Sequence, residues 1–290
     1  MFVAVMALFP ALMWGAEAPK IELAPERVPD LTESERPKPP ETEKKESRLS
    51  FSLKTSLLSE YTTAVGVTLT KAPIGVVDFS AAYQTNLGSV YVGTWNSVEL
   101  DLKGHYGENF ADEIDFYAGW VNTWKGWVKT NVTVSEFNLE GPNGGVKRID
   151  NDLFAADLKV DMVGMKIKQF VPYVKIREFE PLGSKAPEGG WFSWVGFSGS
   201  QNTGLSLNSK PISFNYDISY AHSWGAVGRN PGPAFVQGNF CLPIPVLDRM
   251  SITPNLRYVQ PIGTQFGNPG DFADKRRPRV IPGIEFGWKF

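Results

Sequence analysis

The chain has 290 residues with 29 basic and 31 acidic side chains, a formal net charge of -2, and 42% hydrophobic residues at a mean hydropathy of -0.19. That balance leaves no electrostatic footprint for gripping nucleic acid and too little continuous apolar sequence for several membrane-spanning helices. One cysteine, Cys241, and two histidines, His105 and His222, exclude an internal disulfide and a cysteine/histidine metal cluster, so no cofactor is expected.

Residues 1–18 (MFVAVMALFPALMWGAEA) form an apolar run long enough for the core of an export signal and too short to cross a bilayer as a helix. No Lys or Arg precedes the run, and Pro19 follows the small-x-small triplet Ala16-Glu17-Ala18, so translation start and cleavage point stay open. Residues 19–48 turn abruptly rich in Pro, Glu and Lys and nearly free of aromatics. Such a segment buries too little apolar surface to offset the entropy of ordering, and it reads as a disordered periplasmic tether.

From residue 49 to 290 the pattern changes to period-two alternation. Phe154, Ala156, Leu158, Val160 and Met162 alternate with Ala155, Asp157, Lys159 and Asp161. Ile212, Phe214, Tyr216, Ile218 and Tyr220 alternate with Ser213, Asn215, Asp217 and Ser219. One face of each strand wants an apolar surrounding and the other wants water. A soluble sandwich and a membrane barrel both satisfy this, because a barrel strand keeps its average hydropathy near zero. The aromatic content of 13% leans toward the barrel, since Trp and Tyr settle at membrane interfaces.

Connection lengths separate the two further. Strands are predicted over 50–67, 75–83, 89–98, 112–122, 125–136, 151–162, 165–178, 191–208, 212–222, 234–242, 250–260 and 280–290, twelve in all, with fourteen as the alternative count. Short gaps (84–88, 123–124, 163–164, 209–211, 243–249) interleave with long ones (99–111, 137–150, 179–190, 223–233, 261–279). Short turns at one end and long loops at the other are the outer-membrane arrangement, with both ends of the barrel on the periplasmic side. The first and eighth predicted strands exceed what a bilayer needs, which points to merged pieces there. Pro254 and Pro282 each remove a ladder hydrogen bond, so each is expected beside a strand end or a bulge.

The last predicted strand carries Val280, Pro282, Ile284, Phe286, Trp288 and Phe290 on one face. Of these, Ile284, Phe286, Trp288 and Phe290 resemble the terminal signal by which barrel-assembly machinery recognises its clients. Trp124, Trp127, Trp191 and Trp194 fall near predicted strand ends and are assigned to interfacial girdles.

From about residue 53 to 120 the sequence resembles the TorF-type putative porins, a bacterial outer-membrane family. The resemblance rests on Ser59-Glu60-Tyr61, on Ala72-Pro73, on Val90-Tyr91-Val92-Gly93-Thr94-Trp95-Asn96-Ser97 and on Glu113-Ile114-Asp115-Phe116-Tyr117-Ala118-Gly119. The arginine and glycine usual after the first aromatic are replaced by Ala64-Val65-Gly66. The resemblance implies an outer-membrane β-barrel with a porin-like role.

Fold and function then read as follows: an all-β, antiparallel up-and-down transmembrane barrel that serves as a passive channel and not as an enzyme. The lumen-facing candidates are Asp115, Lys129, Asp157, Lys159, Asp161, Lys175, Arg177, Asp217, Arg257, Glu285 and Lys289, whose charges would hold water and filter ions. Twelve strands lie between filled eight-stranded barrels and open sixteen-stranded ones, so a closed structural or adhesive barrel is the alternative. An outer-membrane lipid-modifying enzyme would need a serine oriented by histidine. Neither His105 nor His222-Ser223 offers a recognisable setting, and 141–145 (GPNGG) lacks the strand-to-helix context of a phosphate cradle. The partners expected are outer-membrane lipid and lipopolysaccharide, the barrel-assembly machinery through the last strand, and small solutes.

Overall fold

The structure, a computed structural model, describes residues 48–64, 68–70, 72–100, 113–139, 152–165, 169–183, 186, 188–227, 230–262 and 278–290. The expected export signal, all but the last residue of the tether, His105 and 141–145 lie outside the described residues. The strands are β1 (Leu49–Leu58), β2 (Tyr61–Thr62), β3 (Thr68–Thr70), β4 (Ile74–Thr85), β5 (Gly88–Glu99), β6 (Glu113–Trp124), β7 (Val128–Leu139), β8 (Leu153–Asp161), β9 (Val171–Pro181), β10 (Gly190–Leu207), β11 (Lys210–Trp224), β12 (Gly232–Cys241), β13 (Ile244–Pro245), β14 (Met250–Pro261) and β15 (Arg279–Lys289).

Neighbouring strands of the main sheet pair antiparallel in chain order, and β1 pairs with β15 through seven residues, from Ser52↔Lys289 to Leu58↔Gly283, while β12 pairs with β14. The sheet of 13 strands is therefore a closed ring of twelve, with the two-residue β13 as a side branch on β14. Closure gives every strand of the ring two neighbours, the condition a sheet must meet to stand in hydrocarbon.

All twelve predicted strands are present, with one division, and the seventh starts at Val171, six residues later than predicted. The first predicted strand is two pieces: β1 ends at Leu58, where the Ser59 N–H donates to the Pro282 carbonyl at 3.1 Å. The chain then bends through Ser59 and Glu60 into β2, which pairs with β3 as a separate two-stranded ribbon. The other long prediction stands as one element. β10 runs 18 residues, and its neighbours stop pairing at Ser198 on β9's side and at Asn215 on β11's outer side. The β10–β11 hairpin thus projects beyond the short-turn rim on a two-residue turn whose Asn208 and Ser209 have φ of 51° and 61°. Both residues in the left-handed region match the right-handed twist of the flanking strands.

The two prolines sit within strands that pair on both sides, yet each faces the place where a neighbour ends. Pro282 accepts from Ser59 just past the end of β1, and Pro254 accepts from the Leu242 N–H at 3.0 Å just past the end of β12. Each missing donor therefore falls opposite the first residue beyond a neighbouring strand, at the end of that ladder.

Register sorts the side chains into two sets that run unbroken around the ring. Asp157 faces Arg177, Arg177 faces Phe192, Phe192 faces Ser223, and the same parity passes through β12, β14, β15, β1 and β4 to Trp95, Asp115 and Phe137. Most side chains of this set are buried or half-buried, so it is the interior. The opposite set presents Phe79, Val92, Phe116, Val132, Val195 and Val280 exposed, the apolar outer face of a transmembrane barrel.

Candidate pore and constriction

The interior is polar over most of its height and apolar at the long-loop rim. There Leu153, Ala155, Phe179, Phe192, Trp194, Ala221, Phe235 and Val259 form a continuous buried cluster with Tyr173, against which Phe137 packs. Phe192 stacks on Trp194 at 5.5 Å between ring centroids and meets Phe179 edge-on at 6.4 Å. Trp194 is thus not a girdle residue. It shares the lumen parity of Phe192 and is 3% exposed, whereas Trp191, one register step away, points out.

Every charged residue predicted to face the lumen carries the interior parity. On β8 and β9, Asp157 accepts from Arg177 Nε and Nη2, both at 2.6 Å, and stands 3.4 Å from Lys175 Nζ. Lys159 pairs with Asp161 at 3.1 Å, and the Tyr173 hydroxyl donates to Asp217 at 2.8 Å. The cations also use ring faces: Arg177 lies 5.5 Å from both the Phe137 and Phe179 centroids, and Lys175 lies 5.2 Å from that of Trp194. This wall is largely self-neutralised. Lys129 faces Asp161 across β7 and β8, and Lys289 faces Ser52 at the short-turn rim.

The ribbon of β2 and β3 is the feature that sequence reasoning missed. Glu60, Tyr61 and Thr62 lie inside the ring at the long-loop end. Tyr61 packs on Trp95 at 5.5 Å and its hydroxyl donates to Glu113. Arg257 donates to the Thr62 carbonyl, to the Thr63 carbonyl at 2.8 Å and to Gln237 Oε1 at 3.0 Å. Arg279 reaches Glu60 at 3.5 Å. The ribbon therefore bridges the β5–β6 wall to the β14–β15 wall. Tyr61, Trp95, Glu113 and Asp115 all belong to the segments that carry the family resemblance, although they lie far apart in the chain.

Those same segments build a second device. Tyr91 faces Gly119 and Tyr117 faces Gly93, so each ring lies over the opposite glycine and the two rings meet at 6.2 Å. A Cβ on Gly93 would stand 2.4 Å from the Tyr117 ring, and one on Gly119 would stand 2.4 Å from the Tyr91 ring. The rings replace the missing side chains in the way aromatic residues shield strand glycines. Their hydroxyls donate to Asn131 at 2.8 Å and to Asp78 at 2.6 Å.

Below the ribbon, a cavity of about 640 Å³ opens along β1, β12, β14 and β15. It runs from Arg249 and Lys289 at the short-turn rim, past Lys54, Thr253 and Glu285, to Thr62 and Arg257. At its mouth the Lys210 ammonium, 2.8 Å from Asp248, donates a hydrogen bond that holds the Asp248 carboxyl below the usual carboxylate range.

On the outer face, Trp124 and Trp127 stand exposed at the short-turn rim, with Trp120 packed on Trp124 at 5.9 Å. Trp191 and Trp224 stand exposed at the long-loop rim, and Trp224 donates to Ser193 Oγ at 3.1 Å. His222 belongs to this outer patch, 4.5 Å from the Trp224 ring, while Ser223 points into the interior. Among the described residues no group of three His, Cys, Asp or Glu side chains has metal-binding spacing. Ile284, Phe286 and Trp288 have the outward parity, and Phe290 exchanges backbone hydrogen bonds with Phe51 at 3.0 and 3.4 Å.

Ring closure, the apolar exterior and the charged interior define a transmembrane β-barrel. The solved structures similar to it include a KdgM porin (7% identity, TM-score 0.46, covering 83% of this chain and 99% of that one). A NanC porin (8%, 0.46, covering 83% and 100%) and the translocator domain of autotransporter NalP from Neisseria meningitidis (12%, 0.45, covering 86% and 90%) are also among them. No family model and no curated protein matches the chain.

Proposed function

We propose that the chain is an outer-membrane channel for small hydrophilic solutes, constricted at its long-loop end by the inward-folded β2–β3 ribbon. The observation that carries this reading is the cavity of about 640 Å³ inside the ring, polar along one wall and ending on the ribbon. Lumen charges on Lys54, Arg257, Glu285 and Lys289 hold water along the path, while the paired charges of β8 and β9 fill the opposite wall. We further read residues 1–18 as the export signal, residues 19–48 as a periplasmic tether, and the short-turn rim as periplasmic. Lipid and lipopolysaccharide then meet the aromatic outer face, and the last strand presents Ile284, Phe286, Trp288 and Phe290 to the assembly machinery. We also read the segments that carry Tyr61, Trp95 and Glu113 as kinship with the TorF-type porins, a reading that rests on their sequence alone.

A closed barrel is the second reading, favoured by the apolar cluster around Phe192 and Trp194 at the same end as the ribbon. Planar-bilayer recording separates the two. The channel gives unitary current steps that grow when Tyr61 is replaced by Ala. Electrical silence from a folded, heat-modifiable barrel, in both wild type and Tyr61→Ala, establishes the closed form.

A further inference from the structure

We propose that the inner end of the vestibule is a binding site for a small carboxylate solute held by Arg257, and that its occupation releases the ribbon from the barrel wall. Its meaning for transport rests on the channel reading; the binding site itself does not. Arg257 stands out among the lumen cations by its partners. Arg177 meets Asp157, Arg279 meets Glu60 and Lys54 meets Glu285 at 3.6 Å, but Arg257 donates to two backbone carbonyls and an amide oxygen. Among the described residues no carboxylate pairs with it. A guanidinium taken out of water with only neutral acceptors retains unmet attraction for an anion.

The surroundings give an anion both room and a route. The vestibule's 640 Å³ lies in the range of small-molecule sites. Along it, Glu285 is engaged by Lys54, Asp248 by Lys210 and, at the inner end, Glu60 by Arg279, which leaves Arg249 and Lys289 at the rim in excess. Basic walls of low dielectric concentrate anions in a cleft.

Competition at Arg257 then couples binding to the constriction. A carboxylate meets the guanidinium fork with two charge-assisted hydrogen bonds, each roughly twice as strong as one to a neutral acceptor. It takes the donors that now hold the Thr62 and Thr63 carbonyls. The ribbon keeps further attachments, among them Tyr61 on Glu113 and Glu60 on Arg279, so what is lost first is the hold of the β14 wall.

Calorimetric titration of the full-length barrel, folded in detergent, with succinate and with its neutral diamide tests the site. Succinate is expected to bind at least tenfold more tightly than succinamide, and Arg257→Gln to erase that difference. Arg257→Lys, which keeps the charge and loses the fork, is expected to weaken succinate several-fold, and it serves should Arg257→Gln fail to fold. Equal binding of the two probes, or wild-type succinate affinity in either folded variant, overturns the proposal. In bilayers, succinate on the short-turn side is expected to lengthen open times in wild type but not in Arg257→Gln; unchanged open times with binding intact overturn the release step. Arg257-dependent binding without current leaves the site standing and removes the channel. Current without such binding does the reverse.

Discussion

Removing Asp157 should damage the barrel more than removing its partner Arg177. Asp157 accepts two hydrogen bonds from Arg177 at 2.6 Å and faces Lys175 at 3.4 Å, and both it and Arg177 are about nine-tenths buried. Asp157→Ala strands two cations in the wall beside Lys159, and breaking a buried pair this way costs about 3–5 kcal/mol. Arg177→Met leaves the carboxylate with Lys175 and keeps an unbranched stem between the Phe137 and Phe179 rings. That change loses only the charged hydrogen bonds, about 1.5–3 kcal/mol. The double variant should fall well short of the sum, with a coupling of about 2 kcal/mol. Urea titration in lipid vesicles, followed by tryptophan fluorescence and heat-modifiable migration, measures all four corners of the cycle. An Asp157→Ala cost below about 1 kcal/mol, or strict additivity, would refute a neutralised dry wall and argue for one bathed in water.

The remaining structural expectations concern the rings. Gly93→Ala drives a methyl to within 2.4 Å of Tyr117 and 2.7 Å of the Phe79 carbonyl, and should cost about 1–3 kcal/mol by overpacking in the same unfolding assay. Trp194→Ala should cost about 3–5 kcal/mol, the loss typical of a fully packed aromatic. Brominated lipid should quench fluorescence from Trp124, Trp191 and Trp224 in single-tryptophan variants and leave Trp194 bright; quenching of Trp194 would place it back on the lipid face. Tyr61→Phe removes the hydroxyl bonded to Glu113 and keeps the ring on Trp95, so its current steps should lie between those of wild type and Tyr61→Ala.

Much of the barrel was legible because period two is forced by the pleat: a strand with lipid outside and charge inside must alternate, and it fixes the face of Asp157, Lys159 and Arg257 at once. The constriction was not legible by this route. The alternation of β1 continues past Leu58 without glycine or proline to mark the bend at Ser59 and Glu60, so β2 read as more of the same strand. Its contacts with Trp95, Glu113 and Arg257 join residues up to 195 positions apart, which no local pattern encodes. Trp194 was misassigned because nearness to a strand end was weighed without parity. In Trp191-Phe192-Ser193-Trp194-Val195 both faces are apolar, so alternation falls silent where the lumen itself is dry. Tyr61, Trp95 and Glu113 do stand in segments that the sequence singles out, but nothing in those segments says that they meet.

Closure of the ring through β1 and β15 has a consequence for how the chain can be rewired. Arg48 and Phe290 lie on the same rim, each bonded to an adjoining strand, through Gln84 at 2.7 Å and Phe51 at 3.0 Å. A circular permutant that links these positions and opens at the projecting Asn208-Ser209 turn keeps every ladder and merely moves the gap in the covalent backbone. Such a permutant should still insert, with its new seam between β10 and β11 closing last, because a hoop with all its staves bound to two neighbours does not record where the thread was cut.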